Sequence, residues 1–325
     1  MLSDLTRRAL LAAAILVPTL AWAQADTGPK LPPLMKIVVP FSAGASNDAI
    51  ARALAPQLAQ RLGNTVIVEN RPGAAGVIGA DYVAKSPADG SVLLLTSSTF
   101  LTAAATQARL PYDPLTAFAP VSLIGNGPML LAVSAATSIK SPAELIAAAR
   151  ARPGTLSYGT AGTGSVAHLS SEMLSDAAHI KMMHVPYKGA ANALLDLAGG
   201  QIDMMISNYT SIAPQIKSGK VRALAVTSAQ PSPVFPQLPT VASAAPGFAA
   251  DIWVMVFAPG ATPAPVVARL NRELNQIATT HEVKALLEPD GATPLALSPP
   301  DLARRVKDDL AVWRKIAVDK KIVAE

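Results

Sequence analysis

Residues 36–62, KIVVPFSAGASNDAIARALAPQLAQRL, decide the fold. Lys36 to Phe41 reads as a short buried strand, the small residues after it as a tight turn, and Asn47 to Leu62 as a helix with Ile50, Leu54 and Leu58 on one face. The same alternation continues outward with a strand at Thr65 to Glu69, a helix at Val77 to Lys85 and a strand at Ser91 to Thr96. Short apolar strands separated by amphipathic helices are the pattern of parallel strands with crossover helices, so the first hundred residues of the mature chain read as a βαβαβ unit.

From Val121 to Val133 a long apolar section, broken by Gly125-Asn126-Gly127-Pro128, reads as a strand that leaves this lobe near Val121 and begins another. Ser141-Pro142-Ala143-Glu144 has the form of a capping box opening a helix. Strands follow at Leu156 to Gly159, Met182 to Tyr187, Asp203 to Ser207 and Val221 to Thr227, with helices between them. Gln230 to Pro246, rich in Pro, Ser and Ala, reads as a connecting loop. A last strand at Asp251 to Ala258 precedes helices at Pro263 to Thr279 and, capped by Ser298, Pro300 to Lys321. The fold class is therefore α/β, with two Rossmann-like lobes joined by two crossing strands near Val121 and Val226. Residues 24–121 and 229–325 form a discontinuous first lobe, and residues 122–228 form the second.

The chain has 325 residues, which suits two lobes. Half the residues are hydrophobic, 15% are charged and 28 are proline, a composition that excludes a disordered or coiled-coil chain. Arg7 and Arg8, the apolar run from Ala9 to Ala21, and Ala21-Trp22-Ala23 read as an export signal over residues 1–23, with cleavage after Ala23. General secretion and the twin-arginine route both remain open. That apolar run is shorter than the ~20 residues a membrane span needs. Without cysteine the chain has no disulfide, thiolate metal site, cysteine nucleophile or lipid-modified cysteine. The net charge is +5, and losing Arg7, Arg8 and Asp4 with the signal leaves +4. No basic block stands out and aromatics are only 4%, so nucleic acid is not an expected partner.

Two segments have the chemistry of an anion site. Phe41-Ser42-Ala43-Gly44-Ala45-Ser46-Asn47-Asp48 is a small-residue turn from a strand into a helix, where backbone N–H groups are unsatisfied and the helix dipole is positive. Thr160, Gly162, Thr163, Gly164 and Ser165 repeat the device in the other half of the chain. One cradle from each lobe could grip a carboxylate between them. Ser97, Ser98 and Asn208 stand at predicted strand ends, where open α/β sheets place their ligands. Gly73, Gly76 and Gly79 give GxxGxxG, which is not the dinucleotide fingerprint, and no P-loop or nucleophile elbow occurs. His168 and Glu172 lie one helical turn apart and read as a surface or capping pair; no HExxH is present, so neither a metal nor a cofactor is expected.

Several longer motifs resemble one family. They are Val39-Pro40-Phe41 with its glycine turn ending in Asp48, Glu69-Asn70-Arg71-Pro72-Gly73, Leu110-Pro111-Tyr112-Asp113-Pro114, His184-Val185-Pro186-Tyr187-Lys188-Gly189 and Arg222-Ala223-Leu224-Ala225-Val226-Thr227. Together they are similar to the Bug-type, TctC-like extracytoplasmic solute receptors of tripartite tricarboxylate transporters. The resemblance implies a two-lobed, type II-like periplasmic binding-protein fold and a monomer that binds a small carboxylate: a di- or tricarboxylate, an acidic amino acid or an aromatic acid. It implies no catalysis, with delivery to one large and one small integral-membrane subunit. Ser42-Ala43-Gly44-Ala45 departs from the Pro-Gly-Gly usual in that family's first loop, so a relative's ligand is not transferred. A periplasmic sensor feeding a signalling kinase and an α/β enzyme acting on carboxylic acids are the rival readings.

Overall fold

The structure, a computed structural model, describes residues 29–324. The export signal read over residues 1–23 lies outside them. Two five-stranded sheets form the two lobes. The first has the order β2 (Thr65–Asn70), β1 (Leu34–Val39), β3 (Val92–Ser97), β10 (Asp251–Pro259), β4 (Phe118–Pro128). The second has β7 (Met183–Pro186), β6 (Ser157–Thr160), β8 (Met204–Ser207), β5 (Leu130–Ser134), β9 (Val221–Val226). In each sheet one strand runs against its neighbours: β10 between β3 and β4, and β5 between β8 and β9. These are the strands by which the chain enters each lobe from the other.

Helices alternate with the strands as the apolar periodicity requires. They are α1 (Ser46–Leu62), α2 (Val77–Ala84), α3 (Thr99–Thr106), α4 (Pro142–Ala151), α5 (Val166–Ala178), α6 (Ala190–Ala198), α7 (Tyr209–Lys217), α8 (Ala264–Ala278), α9 (His281–Leu287) and α10 (Pro299–Asp319). Ile50, Leu54 and Leu58 of α1 are buried against Ile37, Val39 and Leu95 of the first sheet. The Ser141 hydroxyl caps α4 by accepting the Glu144 N–H, but the Glu144 carboxylate reaches back to the Lys140 N–H, one residue beyond the Ser141 N–H of a reciprocal box.

The crossing near Val121 expected from the sequence is displaced. All of β4 pairs with β10, Phe118 opposite Pro259 through Pro128 opposite Asp251, because Gly125-Asn126-Gly127 bends the strand without ending it. The chain changes sheets at Met129, so residues 122–128 stay with the first sheet. The return leaves β9 at Thr227, and residues 228–250 first pack on the second lobe, where Phe235 is buried with Leu130 and Ile212. Both crossings are tied by one side chain. The fully buried Thr227 hydroxyl accepts the Met129 N–H at 2.7 Å, the Thr227 N–H donates to the Met129 carbonyl at 2.9 Å, and the Ala250 N–H donates to the Thr227 carbonyl at 3.0 Å.

Thr227→Val keeps the shape but strands the buried Met129 N–H, which costs about 1–3 kcal/mol of stability. Urea denaturation followed by circular dichroism tests this, and an unchanged midpoint would refute the hinge role.

The largest core cluster runs through both lobes, from Leu94 and Phe257 to Leu131, Tyr158 and Ile206. Helix α10 spans the same junction, packing on α3 and β4 while Lys320, just past its end, pairs with Glu172 at 3.4 Å and with Asp176 on α5. Among the described residues no helix is long and apolar enough to cross a membrane.

Candidate functional site

The first cradle is built by α1. Ala45, in extended conformation at its N-cap, has no side chain able to cap, so the first-turn N–H groups carry no side-chain acceptor. Ser46 and Asn47 line a cavity of about 110 Å³ with Ser97, Asn208, Trp253 and Asp290. Ser42, Ala43 and Gly44 are exposed beside it, and Ala45 is half-buried. Phe41 packs half-buried against the first-lobe core. Asp48 braces the turn. Its buried carboxylate accepts the Gly44 N–H at 2.9 Å, the Arg52 guanidinium at 3.0 Å and the Asn70 amide at 2.9 Å. The Arg52 hydrogen bond, with those from Gly44 and Asn70, holds its pKa down at about 2. Buried and held by three donors, Asp48 shapes the cradle from behind.

Ser97 and Ser98 divide in the same way. Ser97 lines the cavity, whereas Ser98 is fully buried and its hydroxyl accepts the Trp253 N–H at 3.0 Å. The pair of bonds between Ser98 and Trp253 fixes β10 against the end of β3. Trp253 is itself 98% buried, yet one edge reaches the cavity, so it is both core and wall.

The second cradle starts α5. Ser165 caps that helix by accepting the His168 N–H at 3.3 Å, and Thr163, Gly164 and Ser165 line a second cavity of about 250 Å³ with Ala75, Thr99 and Gln107 of the first lobe. The two cavities meet the β3–α3 turn at Ser97 and Thr99 respectively, and each is lined by residues of both lobes. Gly162 carries a φ of 126°. Thr160 is buried and faces inward: its hydroxyl accepts the Gly162 N–H at 3.2 Å and lies 2.7 Å from His184 Nε2.

Behind this cradle His168, expected on the surface beside Glu172, is buried instead. Its ring stacks on His184 with centroids 3.7 Å apart, and Tyr158 lies beside both rings, 5.0 Å from His184 and 6.2 Å from His168. The reason is packing: α5 turns His168 toward β6 and β7, where its Nδ1 accepts the Gly164 N–H at 3.2 Å, while Glu172 takes the Tyr158 hydroxyl. Burial lowers both histidines from 6.5 to about 4, and at His184 the neighbouring His168 adds to the effect. A depressed histidine pKa stabilises the fold above pH 6.5, and that contribution is lost as pH falls toward 4. Thermal melts between pH 7 and 4 should show this decline, and His168→Asn with His184→Gln should flatten it; equal slopes would exclude the pair as its source.

Sequence reasoning missed Ala75, Thr99, Gln107 and Asp290. The signal for Ala75 was present in the GxxGxxG spacing. Gly73, Ala74, Ala75 and Gly76 all adopt positive φ, 129°, 47°, 53° and 93°, and this left-handed loop faces the second cradle. Positive φ at two alanines is backbone strain of the kind that collects at ligand sites. Among the described residues no group of three or more metal-ligating side chains occurs.

Residues 50–322 match the model of the family described as Tripartite tricarboxylate transporter family receptor. Protein BugT of Bordetella pertussis is 37% identical over 292 residues, covering 89% of each chain. Among solved structures, R. palustris Rpa4515 with adipate is 37% identical with a TM-score of 0.76, covering 89% of this chain and 98% of that one. MatC of Rhodopseudomonas palustris with bound malate is 31% identical with a TM-score of 0.73, covering 87% of this chain and 98% of that one.

Proposed function

The chain belongs to the tripartite tricarboxylate transporter receptor family, and on that premise we propose that it captures a small carboxylate between its lobes and passes it to a membrane permease of one large and one small integral subunit. It is a solute-binding receptor, not an enzyme. In this reading the leader ends at Ala23, and the mature protein works as a periplasmic monomer.

The observation that carries the ligand class is that α1 of one lobe and α5 of the other both begin at the interlobe cleft, α1 without a side-chain cap. Unpaired N–H groups at the positive end of a 17-residue helix favour an anion. Ser46, Asn47 and Ser97 would hold the carboxylate from one side, and Thr163, Gly164 and Ser165 from the other. Adipate and malate in the structural neighbours support this chemistry. Three or four charge-assisted hydrogen bonds at about 1.5–3 kcal/mol each, less the entropy of capture, give micromolar affinity, about −8 kcal/mol. Closure about Met129 and Thr227 requires contact with both lobes, since only differential affinity shifts the equilibrium.

A thermal-shift screen of mono- and dicarboxylates, amino acids and aromatic acids tests the reading. A ligand at 100 times its dissociation constant adds about 2.7 kcal/mol and raises the melting point by several degrees. A melting point unmoved by every carboxylate would overturn it.

A further inference from the structure

The cavity beside α1 has an unusual wall. Ile50, Ile252, Val254 and Leu287 make most of it apolar, and among its described lining residues Asp290 alone is charged. Asp290 belongs to the first lobe, in the turn after α9, but its carboxylate is held by the second. It accepts the Thr210 N–H at 2.7 Å, the Thr210 hydroxyl at 3.0 Å and the Asn208 amide at 3.4 Å. It thus supplies the cap that Asn208 does not provide for α7. All three donors are neutral, so they orient the carboxylate without a cationic partner to offset its charge. Neither lysine nor arginine is among the described residues lining the cavity.

Resting on the carboxylate reading above, we propose that Asp290 is a specificity-determining residue that makes the cleft select monocarboxylates with an apolar body over dicarboxylates. A ligand whose carboxylate faces the start of α1 lays its hydrocarbon against Ile50, Ile252 and Val254. A second carboxylate extending along this wall meets a fixed like charge in a partly dehydrated space, where repulsion is poorly screened. An uncharged end meets no such penalty. The preference sets this chain apart from its neighbours with adipate and malate.

The test is calorimetric titration of wild type and Asp290→Asn with matched pairs: butyrate and succinate, hexanoate and adipate, benzoate and terephthalate. Asparagine retains an oxygen for the Thr210 N–H, so the α7 cap persists while the charge goes. In wild type the monocarboxylate of the best-bound pair is expected to bind at least tenfold tighter than its dicarboxylate. In Asp290→Asn the ratio should fall below threefold, through tighter dicarboxylate binding. Thr210→Val, which loosens the cap but leaves the charge, should keep the wild-type ratio; a ratio that collapses there as well would assign the effect to structure and overturn the proposal. Dicarboxylates binding wild type as tightly as their partners, or a ratio unchanged in Asp290→Asn, would overturn it while leaving carboxylate capture standing. If no carboxylate in the pairs or the wider screen binds, the receptor reading fails first and this inference with it.

Discussion

Gly164→Ala is expected to weaken carboxylate binding about a hundredfold while the protein stays folded. A Cβ at Gly164 would stand 2.6 Å from the Thr106 hydroxyl and 3.1 Å from the Cβ of Ala324, both on the first lobe. Thr106 cannot turn aside cheaply, because it is buried and its hydroxyl donates to the Thr102 carbonyl at 2.8 Å. Gly164 also has a φ of 77°, a conformation that costs an L-residue about 1–2 kcal/mol. The contact is between lobes, so it is relieved by parting them. Without closure the ligand keeps one cradle and loses about two charge-assisted bonds at about 1.5–3 kcal/mol each, and ~1.4 kcal/mol is a factor of ten. Titration calorimetry reads the affinity and small-angle scattering the opening; an affinity within threefold of wild type would remove Gly164 from the closing surface.

Asp48→Ala should cost about 3 kcal/mol of stability and disorder the first cradle. Arg52 is half-exposed, so its pairing adds little. The weight lies in the Gly44 N–H and the Asn70 amide, each bonded to a charged acceptor and each left unpaired by the substitution. Because the folded-state pKa is depressed to about 2, this contribution is complete above pH 3.8 and lost as pH falls through 2, a window below that of the histidine pair. Urea denaturation at pH 7 and at pH 2.5 separates the two. A loss under 1 kcal/mol at pH 7 would show that the turn holds its shape without the carboxylate.

Much of the scaffold was legible in the chain. Hydrophobic periodicity placed α1 and β1 to within two residues, and the capping serines Ser141 and Ser298 marked two helix starts that the structure retains. The site was legible only as backbone. A glycine turn between strand and helix says where N–H groups point, and says nothing about which neighbouring side chains face in. Asp48 and Ser98 therefore read as ligand contacts, although long-range partners, Asn70 and Trp253, turn them to bracing. Asp290 was hidden for the converse reason: Pro289-Asp290-Gly291 reads as an ordinary turn, and its meeting with Thr210 spans eighty positions. The crossing slipped to Met129 because a Gly-Asn-Gly-Pro run signals a break, whereas pairing with β10 carries the strand through it.

The place of β10 between β3 and β4 orders events during synthesis. The amino-terminal lobe is begun first and finished last, since nothing joins β4 to β3 until residues 251–259 leave the ribosome. The strands of the other sheet are all made by residue 226. The lobe that carries the first cradle therefore stays one strand short until more than three quarters of the chain has been made.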